Sequence, residues 1–153
     1  MSNNKVISVI GGNKCSDETG KIAQEIGKNI AKLGAILVCG GLGGVMEAAA
    51  KGAKENGGLT VGILPGERKT DANPYIDIAI PTGLGLARNT LVVKAADLIV
   101  ALPGEYGTLS EISFALIFKK PVINLSNWDI SGTIKVNTIE EAVNLIKKEL
   151  KNK

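Results

Sequence analysis

Short β-branched and aliphatic runs alternate with helical stretches along nearly the whole chain, and most of these runs stop at glycine. Residues 6–10 stop at Gly11-Gly12, residues 35–39 at Gly40-Gly41, residues 59–64 at Pro65-Gly66 and residues 97–102 at Pro103-Gly104. Runs this short, and largely apolar, suit strands buried on both faces of a sheet. The stretches between them carry apolar residues at helical spacing, as in Ile22, Ile26, Ile30 and Leu33. Strands alternating with helices at this spacing imply a parallel sheet covered on both faces and wound by right-handed crossovers. The expected fold class is α/β: a Rossmann-like, doubly wound, mostly parallel sheet with helices on both faces. With 153 residues, 44% of them hydrophobic, one domain spanning 1–153 is expected, without linker or internal repeat.

Punctuation along the chain sets the element ends. Ser16 or Asp17 caps the first helix and Gly34 closes it. The next helix covers 45–55 and stops at Asn56-Gly57-Gly58. Residues 67–74 are polar and read as a loop, 75–80 as a weaker strand interrupted by Asp77, and 86–96 as a helix. A helix ending near Lys119 follows the strand 97–102; then come a strand over 121–125, a turn-like segment over 127–133 and a short edge strand over 134–136. Thr138 with Glu141 forms a capping box that starts the last helix.

Composition removes several chemistries. The chain has no histidine, which excludes Ser-His-Asp and Cys-His catalysis and any histidine-ligated metal. Its two cysteines, Cys15 and Cys39, are too few for a metal cluster or a disulfide framework. Both are expected near strand ends, where a bridge is sterically conceivable, but the default is two reduced, partly buried thiols in a cytoplasmic protein. No metal site is expected. The net charge is +3, and the basic tail of Lys147, Lys148, Lys151 and Lys153 reads as a solvated helix end. Aromatic residues make up 3%, which argues against a base-stacking nucleic-acid surface. The first residues lack a signal-peptide layout and no apolar run approaches membrane-spanning length, so no membrane partner is expected.

In doubly wound sheets, ligands bind beyond the carboxyl ends of the strands. Three glycine loops are expected there: Gly11-Gly12, Gly40-Gly41-Leu42-Gly43-Gly44, and the stretch Pro103-Gly104-Glu105-Tyr106-Gly107-Thr108 that leads into Leu109-Ser110-Glu111. In the third, free N–H groups near Thr108 and Leu109 suit an anion, and Glu111, one turn into the helix, leans back toward the loop. Two readings are open: a cradle for a phosphorylated ligand with a carboxylate beside it, or a tight turn with an N-cap threonine and a dipole-favourable glutamate. In the second loop, four glycines in five positions favour close approach of a ligand over turn geometry alone. That loop lacks the Gly-Lys-Ser/Thr of a Walker loop, and the dinucleotide fingerprint is absent. Glu47 reads as complementing its helix dipole. Arg88, one of two arginines among eighteen basic residues, follows Gly83-Leu84-Gly85. It either grips a phosphate or carboxylate with paired hydrogen bonds or makes a surface ion pair.

The pairing of GGLGGVMEAAAKGA (40–53) with PGEYGTLSE (103–111) resembles the superfamily labelled lysine decarboxylase-like, whose best-understood members are the Lonely Guy phosphoribohydrolases. The resemblance covers residues 6–125 and is closer to the branch that includes the algal molybdenum cofactor carrier protein. It implies a homodimer or higher homo-oligomer. It implies catalytic roles for Arg88 and Glu111, and phosphate binding by Gly104, Gly107 and Thr108. The candidate ligand-binding set is therefore Gly12, Gly40, Gly41, Gly43, Gly44, Gly104, Tyr106, Gly107 and Thr108. Two departures stand out: Glu105 replaces the second glycine of the enzyme motif, and Asn89 stands where the enzymes carry lysine. No pyridoxal-phosphate lysine site is recognisable, and no cofactor is expected beyond the ligand itself.

Two functions are open on this reading. One is hydrolysis of the N-glycosidic bond of a nucleoside 5'-monophosphate, with Glu111 stabilising charge on the ribose and Arg88 positioning the substrate. The other is binding without cleavage, as a carrier of a phosphorylated nucleotide or pterin-type cofactor such as molybdenum cofactor, with Tyr106 stacking on a flat ring. A protein serving assembly alone is disfavoured by the intact glycine loops.

Overall fold

β1 (Val6–Ile10) is apolar on both faces apart from Ser8, and it takes a central place in a seven-stranded sheet. The computed structural model describes residues 4–152. On one side of β1 the strands run outward through β2 (Ile36–Cys39), β3 (Thr60–Leu64) and β4 (Ile78–Pro81). On the other side lie β5 (Leu98–Ala101), β6 (Val122–Asn124) and β7 (Ile134–Lys135). Every pairing is parallel. The winding direction reverses between β1 and β5, where Ile10 faces Ala101. The loops leaving these two strands therefore start side by side and open a crevice at the switch point.

Period-two side-chain direction divides the core into two layers. Leu98 and Val100 join Ile7, Val9, Leu37 and Cys39 beneath α1 (Asp17–Lys32), α2 (Val45–Glu55) and α5 (Ile139–Lys151). Ile99 and Ala101 face the other way, with Val38 and Val122, beneath α3 (Asn89–Lys94) and α4 (Tyr106–Ile117). The structure is thus the Rossmann-like α/β sheet that the alternation of runs implied.

The caps at Ser16 and Thr138 form as read: Ser16 Oγ accepts from Thr19 N, and Thr138 Oγ1 from Glu141 N. Other boundaries move. The fourth strand begins at Ile78 rather than near Tyr75, because Asp77 turns its carboxylate onto Thr60 N and pairs with Lys54. The polar segment 67–74 holds one 3-10 turn, Lys69–Asp71. The helix read over 86–96 is two pieces, a 3-10 turn (Gly85–Arg88) and then α3. Gly85, at φ +59, ends the incoming loop, and the tight turn lets the Arg88 side chain go inward. Thr108 is not an N-cap: α4 begins at Tyr106 with Glu105 in the cap position. Cys15 is exposed and Cys39 buried, both are free, and no bridge joins them. In the basic tail, Lys153 lies outside the described residues.

α1 and α2 touch backbone to backbone. A Cβ on Gly27 would lie 2.0 Å from Ala49 O, and one on Gly52 would lie 1.9 Å from Gln24 O. Gly20, in the same helix as Gly27, has only Cys15 Sγ near, at 3.8 Å. Urea unfolding is therefore expected to show Gly27→Ala destabilising the protein by about 3 kcal/mol through overpacking. Gly20→Ala is expected to stabilise it by roughly 0.5–1 kcal/mol through helix propensity. Equal effects at the two positions would contradict this helix contact.

Candidate functional site

Hydrogen bonds tie the loops at the carboxyl edge of the sheet into one scaffold. Gly12 N donates to Pro103 O at 2.9 Å, and Gly12 O accepts from Val45 N, the first helical amide of α2, at 2.9 Å. Asn13 Oδ1 accepts from Gly43 N at 2.9 Å. The glycine-rich loop after β2 is held from its far side by Asn73, whose N and Nδ2 donate to Gly41 O and Leu42 O at 2.9 and 2.8 Å. The loop after β5 is held by the segment after β6. Gly104 N donates to Asn127 Oδ1 at 3.1 Å, and Trp128 Nε1 donates to Gly104 O at 3.0 Å.

Close packing accounts for several of the glycines. A Cβ on Gly44 would lie 2.3 Å from Gly12 O, and one on Gly104 would lie 2.0 Å from Thr108 Oγ1. One on Gly41 would meet Leu64, one on Gly43 would meet Asn13, and one on Gly40 would lie 2.6 Å from Arg88 Nη2. In the α4 motif Gly107 differs: beyond its chain neighbours and its own helix backbone, the nearest atom to its missing side chain is Asn89 Nδ2, at 3.9 Å. The close approach that needs glycine in the second loop is thus largely the protein's own, whereas space beside Gly107 is left open.

A cavity of about 530 Å³ opens over this scaffold. It is lined by Gly12, Gly40, Arg88, Gly104, Gly107, Thr108 and Glu111 from the expected set. Gly41, Gly43, Gly44 and Tyr106 do not line it. Tyr106 is 79% exposed, and its ring centroid lies 5.8 Å from that of Trp128. Asn13, Lys14, Leu42, Met46, Pro65, Leu86, Asn89 and Glu105 also line the cavity. The reading of the sequence gave none of these a place in the binding set. Asn13 carried a signal, since a polar turn residue directly after a strand-ending Gly-Gly sits at the switch point. Met46, Pro65 and Leu86 come from separate parts of the chain and carried none.

The polar wall is unevenly satisfied. The amides of Tyr106, Gly107 and Thr108, in the first turn of α4, find no acceptor among the described residues. Thr108 is 3% exposed and Glu111 7%, yet neither the Thr108 hydroxyl nor the Glu111 carboxyl has a hydrogen-bond partner among the described residues. Arg88, 6% exposed, is anchored differently. Its Nε donates to Ile63 O at 2.9 Å, Nη2 to Gly40 O at 3.4 Å and Nη1 to Asn89 Oδ1. No ion pair within 4.0 Å joins Arg88 to Glu111. Burial pushes the Glu111 carboxyl up to about 8, against the opposing pull of the nearby Arg88 charge. Burial likewise lowers Arg88 from its usual range, with Glu111 acting in the opposite sense. At neutral pH the cavity therefore holds a guanidinium, a protonated carboxyl, a free hydroxyl and open amides, a set that suits an anion with hydrogen-bonding groups attached.

The model of the SLOG cluster4 family matches residues 4–152. The chain belongs to this family. Among solved structures, a molybdenum cofactor binding protein from Rippkaea orientalis shares 36% identity at a TM-score of 0.91, over 98% of this chain and 99% of that one. The Moco carrier protein of Chlamydomonas reinhardtii shares 34% identity at a TM-score of 0.90, over 99% and 100%. A cytokinin riboside 5'-monophosphate phosphoribohydrolase of Mycobacterium tuberculosis is 32% identical over 118 residues, which is 71% of this chain and 63% of that relative. This SLOG member is thus similar to one protein described as binding molybdenum cofactor, to one described as its carrier and to one described as a phosphoribohydrolase. Among the described residues, no helix is long and apolar enough to cross a membrane, and no cluster of three or more potential metal ligands occurs.

The buried carboxyl gives stability a pH dependence whose sign follows from its raised value. Below about pH 4.5 both folded and unfolded chains hold the proton. Between there and about pH 8 only the folded chain does, so this contribution falls as pH rises and is lost once the folded carboxyl ionises. Glu111→Gln removes the effect. The thermal midpoint of the variant relative to the parent is expected to rise between pH 5 and 8, by on the order of 5 °C. A difference constant with pH would show that Glu111 titrates normally in the folded protein.

Proposed function

We propose that this protein binds a phosphate-bearing small molecule, of nucleotide or pterin type, in the cavity at the switch point and holds it without cleavage. One observation carries this reading: the Thr108 hydroxyl, the Glu111 carboxyl and the first-turn amides of α4 are unpaired, and Thr108, Glu111 and Gly107 line the same cavity. A phosphate oxygen at the helix start would satisfy the Gly107 and Thr108 amides and the Thr108 hydroxyl. The two N–H groups of Arg88 not taken by the chain add charge-assisted donors. Leu42, Met46, Pro65 and Leu86 supply an apolar wall for a flat ring.

One feature favours holding over cleavage: Glu105, a carboxylate in the α4 loop, lines the cavity where the enzyme motif has glycine. The Glu111 carboxyl, raised to about 8 by burial, can donate a hydrogen bond to a held ligand or act as a general acid, and so fits both readings. The second reading, hydrolysis of a nucleoside 5'-monophosphate, is favoured by the convergence of Arg88 and Glu111 on one cavity. In that reaction water attacks C1', the bond to the base breaks, and the base leaves with a proton. The reading also includes a homodimer or higher homo-oligomer. Leu86, Tyr106 and Ile117 are 76%, 79% and 68% exposed on the side of α3 and α4 and would be covered by assembly.

Thermal-shift titration with AMP and the other common monophosphates is expected to raise the midpoint, with chromatography recovering the nucleotide intact. Arg88→Ala and Thr108→Val are each expected to weaken binding ~10-fold or more through lost charge-assisted bonds. Free adenine released from AMP, and lost in Glu111→Gln, would replace holding by hydrolysis. If no monophosphate or pterin phosphate shifts the midpoint, the ligand assignment fails.

A further inference from the structure

Asn89 is 2% exposed, lines the cavity, and uses both ends of its amide. Its Oδ1 accepts from Arg88 Nη1. Its Nδ2 donates to Ser110 Oγ at 3.2 Å and lies 3.5 Å from Gly107 O, and Ser110 Oγ itself donates to Gly107 O at 2.6 Å. We propose that Asn89 is a positioning residue that locks the Arg88 guanidinium to the first turn of α4, so that the cation and the open helix amides meet the ligand as one rigid unit. This deepens the phosphate-binding reading and rests on it for its consequence, though the lock itself exists without ligand.

Residue type supports the assignment. Of the five N–H donors of Arg88, one goes to Ile63 O, one to Gly40 O and one to Asn89, which fixes the plane of the fork. Only an amide at position 89 can accept from a guanidinium and donate to a hydroxyl and a carbonyl together. Aspartate accepts but does not donate and sets a carboxylate beside Arg88. Lysine donates but does not accept and adds a second cation. The charged group close enough to hold Glu111 down is Arg88, since the neighbouring Cys39 thiol, pushed up to about 12 chiefly by burial, is neutral. Releasing Arg88 is therefore felt at Glu111.

NMR of the ligand-free protein tests the lock. In Asn89→Leu, the Arg88 Nε–Hε resonance is expected to leave its parental position. The titration midpoint of the Glu111 carboxyl carbon is expected to rise by about half a unit or more as the Arg88 charge swings away. In Asn89→Asp, which keeps the acceptor, the Arg88 resonance stays near its parental position. Asn89→Ser serves as a second probe should the leucine variant not fold, with the same shifts expected as for leucine. AMP affinity is expected to fall ~10-fold in the leucine or serine variant. A folded leucine or serine variant with both resonances unchanged overturns the proposal and leaves Asn89 a packing residue. Changed resonances in a protein whose parent binds no monophosphate would keep the lock and reject the ligand reading, so the two failures are distinguishable.

Discussion

The backbone of Gly12 holds the site together. Its N–H reaches the loop after β5 and its carbonyl takes the first helical amide of α2. Two connections that start from different strands are thereby fixed to the loop after β1. A side chain at residue 12 would strike Lys14 O at 2.7 Å, so the turn of the first loop itself requires glycine, while Gly104 lies beside it at ordinary contact distance, 3.5 Å. The topology supplies the opportunity, because β1 and β5 are neighbours in space but far apart in sequence. The bonds from Asn73, Asn127 and Trp128 brace the arrangement from both flanks.

On that frame the chain leaves some polar groups paired and others unpaired, and the difference separates structure from chemistry. Asn124 is fully buried and engages Trp128 O, Thr133 and Ser126. Ser8 is equally buried and donates to Val92 O. These are ordinary satisfied interior groups. Thr108 and Glu111 are nearly as buried and have no partner among the described residues, although both face a cavity. Their polar atoms are open to the cavity, since among the described residues no fully buried side-chain nitrogen or oxygen lacks a partner, so these groups are available to water or to a bound molecule. The carboxyl adapts by keeping its proton and Arg88 by turning three donors onto its own chain.

Much of this was legible in advance, and the exceptions are instructive. Glycine-terminated apolar runs gave the strands to within a few residues, because a strand buried on both faces has no other composition open to it. The boundaries that slipped were those decided by a side chain acting at a distance. Asp77 chose Thr60 and Lys54 over extending its own strand. Arg88 turned inward and divided one helical stretch into two. In the site, loop chemistry left Arg88, Glu111, Thr108 and Gly107 with alternatives open and the family resemblance selected them; the structure places all four on one cavity. Gly41, Gly43 and Gly44 illustrate the limit of that reasoning. Their composition marks a close approach, but only the coordinates show Asn13, Gly12 and Leu64 occupying the near side.

The amino-acid order alone determined a parallel sheet with two glycine-bearing helix starts at its carboxyl edge, because hydrophobic periodicity and turn chemistry are local properties. Tertiary structure decided which groups share the cavity. It set Asn89 between Arg88 and α4, brought Met46, Pro65 and Leu86 to a common wall, and turned Tyr106 toward Trp128. It also left the Glu111 proton in place to about pH 8. Each of these depends on burial and on contacts between residues far apart in the chain, which no pattern of neighbouring residues records.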